Sequence, residues 1–403
     1  MRKGWQTKTL GEVCQIRGGG TPSKGIPKYW RGDIPWVSPK DMKFDVLSDS
    51  IDHISQEAID GSATSLIPRG SVLIVVRSGI LARTVPIAIT GRDLTINQDL
   101  KALCPNGLVD ARFLYHLLDS KMDTLLSMVS RGATVHRLMT EELRSVDFLL
   151  PPIPEQRRIV GILDEAFEGI TTATANAEKN LQNARALFES HRQSVLSQCG
   201  EGWVDTTLGE EIDLLAGFAF KSAQYTNREA DVRLLRGDNI IQGRLRWDDV
   251  VKWSAKDTAS YERYQLRQGD VVLAMDRPWV KAGLKHATIS TEDLPCLLVQ
   301  RTARLRGRKS LDTRFLMLLL GSEAFIRHIL GVQTGIGVPH ISGQQIEDFA
   351  FSRPPLKEQE RVANHLEALR AETQHLESIY RQKLAALEAL KKSLLQQAFR
   401  GEL

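Results

Sequence analysis

The sequence predicts two α+β domains in tandem pseudo-repeat, separated by a long antiparallel two-helix coiled coil. Three observations carry that expectation. Blocks of sequence recur in the same order roughly 200 residues apart. In each copy, short β-rich runs bounded by Gly or Pro precede runs with helical spacing. Each copy then ends in a Pro-Pro pair followed by a long stretch whose apolar residues step by three and four.

The repeat sets the boundaries. "GWQTKTLGE" begins at Gly4 and "GWVDTTLGE" at Gly202. "IPRGSVLIVVRSG" (67–79) matches "LRQGDVVLAMDRP" (266–278), and "DARFLYHLL" (110–118) matches "DTRFLMLLL" (312–320). "PPIPEQRRIV" (151–160) returns as "PPLKEQERVA" (354–363). The expected parts are a first globular domain over 1–150, a helix over 151–199, a second domain over 200–353 and a second helix over 354–403. In the globular parts, "IPWVSPKDM" and "VRLLRGDNI" read as strands running into loops, and "GSVLIVVRSG" and "GDVVLAMDRP" as short strands. "ARFLYHLLDSKMDTLLSMV" and "TRFLMLLLGSEAFIRHIL" have helical spacing. Between the shared blocks the copies differ freely, as "KGIPKYWRGD" differs from "KSAQYTNREAD". A shared frame with different inserts points to one job done on two different targets.

Proline suits a helix's first turn and stops what precedes it. After Pro154 the stripe runs through Ile159, Leu163, Ala166, Ile170, Ala173, Ala177, Leu181, Ala184, Phe188 and Val195. The second copy gives Val362, Leu366, Leu369, Thr373, Leu376, Tyr380, Leu384 and Leu387. Such narrow stripes are of the coiled-coil kind. About 40 residues at ~1.5 Å each make a rod near ~60 Å, which needs a partner to be stable. The other copy is the nearest one, and chain order makes the pair antiparallel, a spacer with a domain at each end. Between matched ends, Glu155–Ser194 is about four residues longer than Glu358–Ser393, close to one 3.6-residue turn, near "TTATANAE" (171–178). Spacer length thus reads as an adjustable quantity.

Composition narrows the class. The chain has 403 residues, 42% hydrophobic and 25% charged, ordinary for a globular protein of two or three domains. No run approaches the ~20 apolar residues of a membrane span, and the start "MRKGWQTKTLGEV" has no apolar signal core. The expectation is a cytoplasmic protein without a membrane partner. The four cysteines (Cys14, Cys104, Cys199, Cys296) form no CxxC, so free thiols are expected. The nine histidines show no metal spacing, and no metal site is expected. A net charge of +4 is only mildly basic.

Three features together resemble one family: "RGGGTPSKGIPKYWRGDIPWVSPKDM" (17–42), the two "PP…EQ" helix starts, and the ending "KKSLLQQAFRGEL" (391–403). The chain is similar to type I restriction–modification specificity subunits over nearly its whole length. The resemblance implies that each globular part reads one half of a bipartite, asymmetric site in double-stranded DNA, and that the helices set the gap. It implies no catalysis in this chain and no cofactor of its own. Two modification subunits would methylate adenine N6 with S-adenosylmethionine. Restriction subunits would translocate and cleave DNA with ATP and Mg. A related system with a fused nuclease–methyltransferase partner, or a coiled-coil adaptor that binds no DNA, are the rival readings.

The residues agree with a binding role. The Pro-Pro pairs stand in "LPPI" and "RPPL", not in the Asn/Asp-Pro-Pro-aromatic motif of adenine methyltransferases. "GGGTPSKG" (18–25) is not GxxxxGK[ST], and no GxSxG is present. Candidate DNA contacts follow residue chemistry. Arg17, Gly18, Gly19, Thr21 and Lys24 form a basic Gly-rich loop suited to phosphates, or else a tight turn after a strand. Ser38, Lys40 and Asp41, with counterparts Arg236, Asp238 and Asn239, suit base readout or polar turn chemistry. Arg77 and Ser78 match Asp276 and Arg277 at strand ends, where they project into a groove or form an internal salt bridge. Gln98, beside Asn97, matches Gln300, beside Val299 and Arg301, as base readers or frame. His136, Arg137 and His340 sit on polar loops (131–138 and 334–341), as contacts or solvated tips. Arg304, Arg306, Arg308 and Lys309 form a charge run, phosphate-binding or simply solvated.

Overall fold

In the computed structural model, residues 4–196, 200–335 and 338–403 are described. Cys199 lies outside them, as do Ile336 and Gly337 of the 334–341 loop. The chain forms two compact units, one of Met1–Glu178 with Arg381–Leu403, the other of Lys179–Tyr380. Each long helix therefore contributes to both.

In the first unit, strand Gln6–Thr9 pairs antiparallel with Asp147–Leu150, immediately before the Pro-Pro pair. A five-stranded sheet runs in the order Cys14–Gly18, Leu100–Pro105, Val72–Val75, Ile87–Thr90, Val46–Leu47. Val72–Val75 is buried at every position, as a central strand covered on both faces must be. A smaller sheet places Ile34–Val37 between Asp52–Ile54 and Thr95–Ile96, parallel to the latter. The second unit repeats the plan. Val204–Thr207 pairs with Ala350–Arg353. Four strands run Ile212–Ala216, Thr302–Gly307, Val271–Ala274, His286–Thr288. Val232–Leu235 lies between Lys252–Trp253 and Cys296–Leu298, again parallel to the latter. The helical runs are each two helices, Ala111–Ser120 with Met122–Ser127, and Thr313–Leu320 with Glu323–Val332. The second pair bends by 59° because Gly321 ends one helix and the Ser322 side chain caps the next.

The long helices span Ile153–Leu196 and Leu356–Arg400, 44 and 45 residues. Within the first unit Arg158 donates to the Leu403 carbonyl at 2.8 Å, and Lys391 lies over the Phe167 ring. Within the second, Arg185 meets Glu377 at 3.1 Å and His191 meets His365 at 2.8 Å. In both, rising numbers on one helix meet falling numbers on the other, so the pairing is antiparallel. The stripe is buried or half-buried throughout the first helix. In the second helix Leu376 departs from it. Leu376 is exposed and half-buried Glu377 takes the inward position, where it pairs with Arg185. Over the described residues the two long helices are nearly equal in length, since the second continues past Ser393 to Arg400.

The "EQ" of each helix start has a physical role. Gln156 is fully buried. Its amide donates to Pro151 O at 2.8 Å and Leu108 O at 3.0 Å, and its carbonyl accepts from Asp110 N at 2.8 Å. Gln359 repeats this with Pro354 O at 2.8 Å, Ser310 O at 2.9 Å and Asp312 N at 2.9 Å. Asp110 and Asp312 are in turn the caps of the next helices. One side chain thus locks the start of the long helix to the domain before it.

Two histidines, one buried and one half-buried, give the fold a pH limit. His116 is 3% exposed and its Nε2 meets Asp164 at 2.8 Å, while Arg112 donates to the same carboxylate at 2.6 Å. Burial pushes His116 below its ordinary value, against the pull of Asp164. Burial raises Asp164, but hydrogen bonds from Arg112 and His116 more than reverse this and leave it below the usual carboxylate range. Burial likewise lowers His286 in the second unit. A histidine lowered in the folded state costs nothing above its unfolded value and destabilises as pH falls below about 6.5. The Asp164 contribution is lost only further down, through its own lowered value. Thermal midpoints should therefore be flat above about pH 7 and fall from about 6.5 toward 5. His116→Gln and His286→Gln should each remove part of that slope. A slope unchanged in the double variant would refute the assignment.

Candidate nucleic-acid interface

The three loops that carry most of the candidate residues meet at one end of each main sheet. In the first unit Val76 N donates to Asp99 O at 2.9 Å, and Leu138 N donates to Val76 O at 2.9 Å. These bonds tie the end of Val72–Val75 to the 97–99 turn and to the 130–137 hairpin. Arg77–Ser78 forms a short ladder with His136–Arg137, with Arg77 opposite Arg137. The second unit has the same knots: Met275 N to Arg301 O at 2.8 Å, and Ile341 N to Met275 O at 2.9 Å. Its hairpin closes through Thr334 and His340, as the first closes through Ser130 and Arg137.

On this common frame the charges are exchanged. Arg77 Nε lies 3.8 Å from Asp99 in the first unit. At the matched positions of the second, Asp276 accepts from Arg301 at 2.8 Å and from His340 at 2.6 Å. The internal salt bridge and the projecting cation are therefore both present: Arg77 and Arg301 remain 46% and 67% exposed. Exposed ion pairs add little stability, about 0–1 kcal/mol, so stability alone does not account for the arrangement. Arg277 and Arg301 also hold positive φ, 45° and 66°. That conformation costs a non-glycine residue about 1–2 kcal/mol, and such strain gathers at functional sites.

The other candidates divide by exposure. Gln98 is exposed and accepts from the Thr21 hydroxyl. Gln300 is exposed while its main-chain N–H donates to Phe218 O at 2.8 Å. Lys24 is exposed, and its side chain has no partner among the described residues. Arg17, half-buried, lies against Gln15 at 2.9 Å, and Lys40 pairs with Asp52 at 2.7 Å. His136 is half-buried and Arg137 exposed. Ser38 and Asn239 face inward. Ser38 is 7% exposed and its hydroxyl donates to Asp41 at 2.9 Å. Asn239 is 2% exposed, accepts from Arg236 N at 3.0 Å and donates to Arg246 O at 3.1 Å. Their polar atoms close turns. Gly19 also has a packing role, since a Cβ there would stand 2.1 Å from Ile96 O. Asn97 is buried against Asp99. The charge run is bound internally at Arg304 (Asp213), Arg306 (Asp270, 2.7 Å) and Arg308 (Ile212 O, 3.2 Å).

Sequence reasoning missed the second unit's hairpin of Trp279–Val280 and Gly283–Leu284, which directly follows Arg277 and exposes Trp279 beside Lys281. "RPWVKAG" was its only signal, a Gly-closed turn with an aromatic and two cations. Among the described residues no group of three His, Cys, Asp or Glu is placed to hold a metal. Burial pushes the Cys14 and Cys296 thiols up to about 12, far from nucleophile chemistry. Among the described residues no single helix is long and apolar enough to cross a membrane.

Two copies of one frame, each presenting different polar loops at the same sheet end and each leading into a long helix, define a tandem recognition module. The chain belongs to the type I restriction modification DNA specificity domain family, whose model matches residues 2–182 and 200–388. It is 38% identical over 193 residues to the Escherichia coli EcoR124I/EcoR124II specificity subunit, across 47% of this chain and 48% of that one. The chain thus aligns with about half the length of that relative. It is 23% identical over 416 residues to the Methanocaldococcus jannaschii MjaVIII specificity subunit, across 99% and 93% of the two chains. Among solved structures, a chain described under complex assembly and conformational transition of the type I R-M system matches with TM-score 0.78 at 20% identity, covering 100% of this chain and 99% of that one. The HsdS subunit of Thermoanaerobacter tengcongensis matches with TM-score 0.64 at 20% identity, covering 100% and 98%. At these identities the structural likeness speaks to the fold.

Proposed function

We propose that this protein is the DNA specificity subunit of a type I restriction–modification complex. Each unit reads one half of a bipartite, asymmetric site with its loop cluster, and the two long helices set the unread gap. The protein docks two adenine-N6 modification subunits and the restriction subunits. It has no catalysis of its own; S-adenosylmethionine, ATP and Mg belong to the partners. It works in the cytoplasm on double-stranded DNA.

The observation that carries this reading is the pair of loop clusters: identical main-chain knots, exchanged side chains, exposed cations. A frame kept twice with its exposed residues changed is what reading two different half-sites requires. Arg77, Gln98, Arg137, Arg277, Gln300, Arg301 and His340 are the base-reading candidates, Arg and Gln suiting guanine and adenine edges. Lys24, Arg17 and Lys40 are phosphate candidates. Losing a base reader relaxes one position of one half-site by about 1–3 kcal/mol, whereas losing Lys24 weakens all sites alike.

The test is N6-methyladenine mapping across the native genome with and without this gene. Loss of one bipartite motif is the expected result and gives both half-sites and the gap. An unchanged methylome in a strain with active modification subunits refutes the reading.

A further inference from the structure

The second unit holds a concavity of about 400 Å³ into which four arginines converge, Arg263, Arg267, Arg304 and Arg306, with Asp213 and Glu262 among its other walls. Arg304 and Arg306 lie on one face of strand Thr302–Gly307, two residues apart. Arg306 forks onto Asp270 at 2.7 and 2.9 Å. Arg304 is 6% exposed and reaches Asp213 through one nitrogen, while its buried Nε has no hydrogen-bond partner. Arg263 and Arg267 are exposed, and neither side chain has a hydrogen bond or ion pair among the described residues. Asp213 and Asp270 thus engage Arg304 and Arg306, and the guanidiniums of Arg263 and Arg267 stand exposed at the rim, with Glu262 the remaining carboxylate in the wall. Burial first, and then the neighbouring Arg306 charge, lower the affinity of Arg304 for its proton. A bound anion would add a counter-charge to Arg263, Arg267 and the unpartnered Nε of Arg304.

The first unit supports a functional origin. At the positions matching Arg304 and Arg306 it has Ala102 and Cys104. Yet Arg17 stands opposite Ala102 in the ladder, where Leu215 stands opposite Arg304. Directly opposed residues share a face. Each unit therefore carries one arginine at this ladder step, from opposite strands. Packing would preserve the residue; here only the charge persists.

Position and chemistry indicate the ligand. Arg301, at the loop end, precedes Arg304 by three residues, or ~10 Å of strand. A B-DNA major groove is ~12 Å wide, so a duplex read by the loops presents a flanking backbone at about that distance. Guanidinium forks match phosphate oxygens in geometry and charge. We propose that this arginine pocket binds a phosphate group, supplied by the DNA backbone beside the half-site that the second unit reads. The DNA source rests on the function proposed above; the anion site itself does not.

The test uses the full chain with Arg263→Ala and Arg267→Ala together, two exposed positions that leave the Arg304–Asp213 and Arg306–Asp270 pairs intact. Binding to a duplex carrying the mapped site and to an unrelated duplex is measured across salt concentrations. Inorganic phosphate is titrated separately while the thermal midpoint is followed. If the ligand is backbone phosphate, the double variant weakens both duplexes by the same factor, and its log–log salt slope is shallower by about 0.9, the loss of one phosphate contact. If the slope is unchanged but phosphate raises the midpoint of the parent and not of the variant, the pocket binds free phosphate and the DNA source is wrong. If neither differs, the site is overturned. Should the parent bind no DNA at all, the proposed function fails while the phosphate titration still decides the pocket.

Discussion

Gln359→Leu is expected to lower the unfolding free energy of the second unit by about 4 kcal/mol, while Glu358→Ala, one residue earlier, lowers it by less than about 1. The two residues share a helical turn and differ in what they touch. Gln359 is fully buried and satisfies three main-chain groups, Pro354 O, Ser310 O and Asp312 N. Leucine fills most of the same volume and satisfies none. Each buried group left unpaired costs roughly 1–3 kcal/mol. Glu358 forms a pair with Arg361 at 2.6 Å, three residues on, with both side chains in contact with water. Such pairs contribute about 0.3–0.5 kcal/mol. Hydrogen exchange at the Asp312 amide, with urea unfolding of the whole chain, checks the contrast. Equal effects from the two variants would mean that the lock is not where the helix start is held. Gln156→Leu should act the same way in the first unit.

This lock also shows why the architecture was legible before the structure. The two "PP…EQ" starts are local in sequence, and their partners lie in matching blocks, so the repeat exposed frame and joint together. Strands such as Val72–Val75 and Val271–Ala274 announced themselves by hydrophobic runs between turn residues. The candidate site was legible only in part. Ser38 and Asn239 looked like readers because polar turn residues and base-contacting residues have the same chemistry; burial separates them, and burial is a property of the fold. The exchange of Arg77–Asp99 for Asp276–Arg301 was half visible. The strand-end mismatch showed in the alignment, but the compensating partner lies on another loop, brought near by the knots at Val76 and Met275. Leu376 was misplaced because an antiparallel pair with an inward salt bridge interrupts the apolar periodicity that a stripe assumes.

Gly19→Ala should erase the reading of one half-site and leave the other intact, and Gly217→Ala should do the reverse. At both glycines the chain leaves its edge strand and crosses directly over the turn that carries the exposed glutamine. A Cβ would stand 2.1 Å from Ile96 O at Gly19 and 2.1 Å from Val299 O at Gly217. Real Cβ atoms essentially never come within 3.0 Å, so main chain has to move by about 1 Å. The movement strains the bonds Gly20 N to Ile96 O and Phe218 N to Leu298 O, both 3.0 Å. Overpacking of this kind costs about 1–3 kcal/mol, and more where the obstacle is main chain. Its functional reach is short, because Gln98 and Gln300 lie one or two residues beyond the atoms displaced. Hydrogen bonds that discriminate bases weaken steeply with misalignment. Affinity for duplexes with either half-site randomised, in each variant, measures this directly. Randomising the first half-site should cost the parent and Gly217→Ala, and cost Gly19→Ala almost nothing. The second half-site should show the opposite pattern. Equal sensitivity to both half-sites in both variants would mean that these crossings hold up the domain without positioning its readers.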